Sequence, residues 1–283
     1  MAPQWDEARA TNQLEQAADE DFQLEPQRLE QTPFYRKELV SPLSFDPPTS
    51  RAELSARLNL IMGHTLGELA ALAQVEVPGP STGKGFAGQL IELFLGANAR
   101  NLPVPDFMEL GIELKTLSLS ADLNLKESTY ICMADLKPTH FVPFEQSHLY
   151  HKLRDLLLVL VLAPPELPLS QRPVVGYLFY QPTPKVLAQM AADYNEFNEL
   201  ICSGHSTTIT GSMGTILQLR PKALNSKITT LVRNEHGDLV AATPKAYYLR
   251  ADFTRKILAR FLTDLGLGAQ DLTYLKALLP PPA

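Results

Sequence analysis

One stretch of the sequence gathers the side chains that could cut a phosphodiester. Between Pro105 and Lys115 an aspartate, Asp106, is followed by Glu113, Leu114 and Lys115 at the head of an apolar segment. Side chains alternate across a β-strand, so Glu113 and Lys115 project to one face while Leu114 goes to the other. Two carboxylates near one lysine suit phosphodiester hydrolysis. The carboxylate oxygens hold Mg2+, a hard cation, and the metal polarises the phosphate and acidifies a bound water. The lysine stabilises developing charge or orients that water. Taken alone, Glu-x-Lys is also what an amphipathic strand shows to solvent; Asp106 upstream, and Gly111 permitting close approach of the chain, make the pattern more specific. Glu92 is a further acidic candidate, inside the otherwise apolar helical run 89–96. A charge there is costly to bury unless paired or ligating, and a place on the helix's solvent edge accounts for it equally well.

Other chemistries are poorly served. The run from Gly79 to Gly85 has three residues between its first glycines instead of four, and Gly85 stands where a phosphate loop needs Ser or Thr. His148 and His151 have a helical spacing but no third metal ligand nearby in sequence. Ser147 beside His148 does not make a nucleophilic triad, whose members meet in space and not in sequence. Cys132 and Cys202 make neither a disulfide framework nor a zinc motif, and Cys202, in an apolar helical run, reads as core.

These residues need elements to hold them. Ser50 to Glu53 and Thr65 to Glu68 are capping-box patterns that predict helices over 51–61 and 66–73. A third helix follows near 84–95. Strand-like runs occupy 111–118, 129–134, 156–162 and 174–180, and Thr183-Pro184 opens a long helix to about Cys202. Further strands fall at 215–219 and 246–249, and Asp252 caps a last helix to about Leu262. Interleaved strands and helices give an α/β or α+β class. The longest apolar run, 156–165, is too short to span a bilayer, and with no secretory signal the expected location is cytoplasmic.

The formal charge of −6, from 25 basic and 31 acidic residues, argues at face value against a nucleic-acid partner. Its distribution does not. Residues 1–50 hold ten acidic and four basic side chains, whereas residues 215–260 hold nine basic and three acidic. Residues 1–45 therefore read as a mobile acidic arm. The basic region carries Arg220, Pro221 and Lys222 at a strand exit, then Asn225, Lys227, Lys245, Tyr247, Tyr248, Arg250, Arg255, Lys256 and Arg260. Arginine at such a position suits base reading in a DNA groove.

Six blocks then occur in a family's order: 64–72, 88–97, Asp106 to Thr116, 147–153, Leu217-Gln218-Leu219-Arg220-Pro221-Lys222-Ala223, and Tyr248 to Arg260. Over about 50–262 the chain resembles the MutH family, the strand-nicking endonucleases of methyl-directed mismatch repair. The resemblance implies a restriction-endonuclease-like fold: a mixed central sheet flanked by helices, with two lobes forming a DNA cleft. The endonuclease domain would run over 46–264, with a catalytic lobe to about 165 and a DNA-reading lobe from 166, leaving 265–283 as an extension. It implies nicking of the unmethylated strand of double-stranded DNA at hemimethylated GATC, by a monomer activated by MutL and acting with MutS only indirectly. Asp106, Glu113 and the Leu114 carbonyl correspond to the ligands of Mg2+, for which Mn2+ would substitute. Lys115 corresponds to the catalytic lysine, Glu92 to an additional acidic residue and Lys152 to a second lysine near the scissile phosphate. Lys84 corresponds to a DNA-contacting lysine, Arg220, Pro221 and Lys222 to the reading loop, and Tyr248 to the tyrosine near the sensed adenine. The stretch 136–144 departs from the family's loop, and Tyr247 stands where phenylalanine is usual. Two other readings remain: a GATC-specific restriction-type endonuclease, and a non-catalytic DNA-binding module of the same fold.

Overall fold

Seven aliphatic residues in succession, 156–162, dictate the centre of the molecule. A strand apolar on both faces has to be covered on both, and β3 (Leu156–Leu162) is buried at every position. In the computed structural model, which describes residues 46–264 apart from 80–82, 101, 122–123, 126, 138–140 and 224–227, β3 is the middle of a mixed sheet. β1 (Glu113–Leu119) runs parallel to it on one side and β4 (Val174–Tyr180) antiparallel on the other. Expectations for the acidic arm, for 265–283, for part of the Gly79–Gly85 and 136–144 runs, and for Asn225 and Lys227 lie outside the described residues.

Alternate residues of β3 feed two cores. Leu157, Val159 and Val161 pack with Leu54, Leu69 and Phe94 of the helices α1 (Arg51–Ile61), α2 (Leu66–Leu72) and α3 (Phe86–Leu95). Leu156, Leu158, Leu160 and Leu162 join the opposite core. It includes Leu149 of α4 (His148–Leu153), Met190 and Phe197 of α5 (Pro184–Cys202) and Ile257 of α6 (Ala251–Asp264). That core also takes the inward side of an antiparallel sheet in the order β2 (Thr129–Met133), β8 (Lys245–Leu249), β5 (Leu217–Pro221). A two-stranded hairpin of β6 (Thr230–Arg233) and β7 (Leu239–Ala242), absent from the sequence reading, stands beside it. The mixed α/β class is as expected. β2 belongs to the second sheet although it precedes residue 165, and β4 completes the first although it follows 166, so the chain crosses between the sheets. No helix among the described residues is long and apolar enough to cross a membrane.

The helix starts reflect their caps. Thr65 and Glu68 form a complete capping box. At α1 Ser50 accepts from the Glu53 N–H, but the Glu53 carboxylate reaches one residue further back, to Thr49 N at 2.8 Å. α3 begins two residues later than expected, after Gly85 in the left-handed conformation at φ +86°. α6 begins at Ala251, so Asp252 lies within its first turn and does not cap it.

Cys202 is exposed, against the expectation of a core residue. The buried face of α5 runs through Val186, Met190, Tyr194, Phe197 and Ile201, and the position after Ile201 is rotated off that stripe. Cys132 is buried, and burial pushes its thiol up to about 12. Since the thiolate is the reactive form, a thiol reagent at about pH 8 is expected to label Cys202 promptly and Cys132 only on unfolding; mass spectrometry of the labelled peptides reads the difference.

Candidate active site

Glu113 is the first residue of β1 and is almost fully buried, at 1% exposure. Its backbone N–H donates to the Asp155 carbonyl at 3.0 Å, fixing the entry of β1 beside β3. Strand alternation sends Leu114 towards the α1–α3 core and leaves Glu113 on the face that carries Leu117. Both Glu113 oxygens then meet an ammonium: Lys115 Nζ lies 2.5 Å from Oε1 and Lys152 Nζ 2.7 Å from Oε2. Lys152 comes from the last turn of α4, a one-and-a-half-turn helix capped by Ser147, whose hydroxyl accepts from Tyr150 N at 3.1 Å. Asp155 is a support absent from the sequence reading. Its carboxylate binds Arg51 at 2.5 Å and Gln181 at 2.9 Å, tying α1 and the end of β4 to the entry of β1.

Asp106 arrives from the preceding loop, which turns back at Gly111 (φ +67°). Its Oδ2 accepts the Leu114 N–H at 2.8 Å, holding this carboxylate against the Glu113–Lys115 backbone. Lys115 Nζ also donates to the Leu114 carbonyl at 3.0 Å. Glu92, on α3, has Asp106, Lys115, Glu113 and Lys152 as its electrostatic neighbours. Of the two accounts of Glu92, its neighbours favour a position beside the cluster. Burial raises its pKa and the Asp106 carboxylate adds to that, with Lys115 opposing. Burial likewise raises the Glu113 pKa against the pull of Lys115. Burial disfavours the charge on Lys115, but the Glu113 and Asp106 carboxylates outweigh it and hold its pKa above the ordinary lysine value. Lys84 is exposed in the turn before α3 and is not bonded to these groups. Among the described residues no three His, Cys, Asp or Glu side chains form a metal cage; the oxygen donors brought together are two carboxylates and the Leu114 carbonyl. His148 is bonded to the Met133 carbonyl at 3.2 Å.

A second group forms on the outward face of the β2–β8–β5 sheet. Tyr130 and Gln218 flank Tyr248 in register. Tyr130 meets Tyr248 edge-on at 5.6 Å. The Arg220 guanidinium stands 5.5 Å from the Tyr248 ring centre and Lys222 Nζ 4.7 Å from that of Tyr130, distances at which a cation is attracted to the ring face. Pro221 ends β5, exposed. Tyr130 was missed because its role depends on the pairing of β2 with a strand far along the chain.

The same alternation removes other residues from this face. Lys245 and Tyr247 point inward: Tyr247 is core, and buried Lys245 donates to the Ile209 carbonyl at 2.6 Å. Arg250 serves backbone carbonyls at 211–214, and Arg255 pairs with Asp252. Lys222→Ala is therefore expected to lower the salt dependence of DNA binding by about one phosphate contact, whereas Lys245→Met leaves it unchanged. Binding constants measured across a salt series check both.

The family model described as DNA mismatch repair enzyme MutH matches residues 95–193, the span that contains Asp106, Glu113, Lys115 and Lys152. The DNA mismatch repair protein MutH of Klebsiella pneumoniae (strain 342) is 39% identical over 222 residues, covering 78% of this chain and 96% of that protein. The chain belongs to the MutH family. The MutH of Vibrio cholerae serotype O1 (classical Ogawa 395) is 41% identical over 216 residues, 76% of this chain and 97% of that protein. That of Yersinia enterocolitica (serotype O:8) is 40% identical over 215 residues, 76% of this chain and 94% of that protein. Each of these MutH proteins is spanned almost end to end, so the surplus length is this chain's own. Glu92, Arg220 and Tyr248 lie outside the span matched by the family model, whereas Tyr130 lies within it.

Proposed function

We propose that the protein is a Mg2+-dependent endonuclease that nicks the unmethylated strand of double-stranded DNA at hemimethylated GATC sites. Family membership makes it a DNA mismatch-repair endonuclease; the metal, the site and the partners are the finer reading. The observation that carries the metal is the position of the Lys115 ammonium, against Glu113 Oε1 and the Leu114 carbonyl. A cation already occupies the neighbourhood of two of the oxygens that would ligate the metal, with Asp106 held alongside by the Leu114 N–H. Mg2+ is commonly bound by one or two carboxylates together with substrate phosphates and water, so the donor set fits without a three-carboxylate cage. Bound there, the metal would polarise the scissile phosphate and lower the pKa of a water.

The chain's own residues do the rest. Lys152 holds Oε2 of Glu113 and so fixes the direction of its carboxylate. Lys115, kept charged by its carboxylate neighbours, presents an ammonium to a phosphate that accumulates negative charge. Glu92 adds a third carboxylate to the same field. The sheet of β1, β3 and β4 carries this cutting group, and the outward face of β2, β8 and β5 carries the reading group, with Arg220, Pro221 and Lys222 at the strand exit and Tyr248 towards the adenine. Lys84 contacts the DNA backbone. Activation belongs to MutL, with MutS acting through it, and the enzyme works as a monomer; Mn2+ replaces Mg2+.

A hemimethylated GATC plasmid incubated with Mg2+ and MutL tests the reading, with product topology as the readout. Open circles are expected. Linear product with no methyl preference supports the restriction-type alternative, and bound but intact plasmid supports a non-catalytic module.

A further inference from the structure

The loop and strand that lead to Arg220 are held by two buried or half-buried charges outside both groups described above. Asp193, in the middle of α5, is 3% exposed. Its Oδ1 accepts from Thr215 N at 2.9 Å and Gln189 Nε2 at 3.0 Å, and its Oδ2 from Ile216 N at 2.7 Å and Leu217 N at 2.8 Å. A carboxylate offers about four acceptor positions, and all four are used. Three successive backbone N–H groups thus converge on one side chain where β5 begins. β5 is an edge strand, whose outer backbone groups have no neighbouring strand to satisfy them. The preceding segment is held by the opposite charge. The carbonyls of Gly211, Ser212, Met213 and Gly214 all lie 3.1–3.3 Å from Arg250 Nη1 and share its two N–H groups. Asp193 therefore holds the N–H groups of 215–217, and Arg250 the carbonyls of 211–214.

This frame touches Arg220 directly. A Cβ added at Gly211 would come within 3.3 Å of Arg220 Cγ and 3.8 Å of its Cδ, so the aliphatic stem of Arg220 lies on the Gly211 backbone. The Arg220 guanidinium is located from both ends: its backbone by the strand that Asp193 anchors, its stem by the loop that Arg250 gathers.

We infer that Asp193 and Arg250 form a clamp that positions Arg220 for base reading, so that the fidelity of site choice depends on α5, behind the DNA-reading face. The inference rests on the reading of Arg220 as a base contact. A side chain that reads a base edge has to be held to a fraction of an ångström, and a good bidentate contact discriminates by about one to two powers of ten. Replacing one Asp193 oxygen by an NH2 group turns donor against donor at the start of β5. Asp193→Asn is expected to lower the ratio of nicking at GATC to nicking at a one-base variant by about tenfold. Gly211→Ala removes no donor or acceptor of the clamp, and its added methyl meets the Arg220 stem first, with Gln218 Oε1 beyond at 4.0 Å, so it tests the same point by a second route; a similar fall is expected.

The experiment measures that ratio for the full chain with Mg2+ and MutL, for the wild type, Asp193→Asn, Gly211→Ala and Arg220→Ala, alongside thermal midpoints. A reduced ratio in Gly211→Ala and in folded Asp193→Asn, matching the direction of Arg220→Ala, supports the clamp. Equal loss of nicking at both sites, with the ratio intact while Arg220→Ala lowers it, overturns the clamp and leaves the reading of Arg220 standing. An intact ratio in Arg220→Ala removes that reading and the clamp with it.

Discussion

Glu113→Ala is expected to abolish nicking, by about a thousandfold or more, while DNA binding persists. The expectation follows from the number of groups that converge on one carboxylate. Glu113 holds Lys115 at 2.5 Å and Lys152 at 2.7 Å, and in the proposed mechanism it would also offer an oxygen to the metal. Without it two ammonium groups face each other across the site and the oxygen set is reduced to Asp106 and a carbonyl. Binding is spared because the basic and aromatic face of β2, β8 and β5 is built by other residues. Folding needs a separate measurement. Removing one partner of a buried ion pair costs about 3–5 kcal/mol, less here because Lys115 is partly open to solvent. Glu113→Gln keeps the shape of the side chain, and Lys115→Ala leaves Glu113 its Lys152 partner. All three are expected to stay bound to DNA in gel retardation and to fail in nicking. Unchanged nicking in any of them would remove the cluster from the chemistry.

Arg220→Ala is expected to weaken binding at the site by about 1–3 kcal/mol and to relax discrimination at one base pair. Arg220 leaves the exposed end of β5, and its guanidinium stands over Tyr248, with one weak polar contact among the described residues, to Ser128 Oγ at 3.5 Å. A planar donor set anchored at its stem and exposed at its head matches the O6 and N7 acceptors of guanine. Affinities for GATC and for each single-base variant distinguish the roles. Relaxation confined to one position is the expected pattern. A uniform loss across unrelated sequences would show a phosphate contact.

Much of this architecture was legible because single elements carry their own signal. The run 156–162 reads as a strand, and it is one; Thr183-Pro184 reads as a helix start, and α5 begins there. The spacing of Glu113 and Lys115 assigned them to one strand face, and they meet at 2.5 Å. What escaped depended on partners distant in sequence. Lys245 looked like part of a basic surface, yet Tyr248 is on the outer face, so strand parity turns Lys245 and Tyr247 inward, and the Ile209 carbonyl makes that tolerable for the lysine. Tyr130 acquired its place only through the pairing of β2 with β8. Asp193 resembled any acid on an amphipathic helix, since the three N–H groups that it binds belong to a segment beyond the end of α5. The charge of Glu92 was ambiguous in the sequence because helical periodicity alone does not say what faces a helix edge.

The most direct test of the central claim is strand-resolved mapping of the break. A hemimethylated GATC duplex labelled separately on each strand is treated with the protein, Mg2+ and MutL, and the products are separated on a denaturing gel. One break, at GATC, in the unmethylated strand only, and absent with Lys115→Ala, is the predicted result. Breaks in both strands, or a break in the Lys115→Ala reaction, would contradict it.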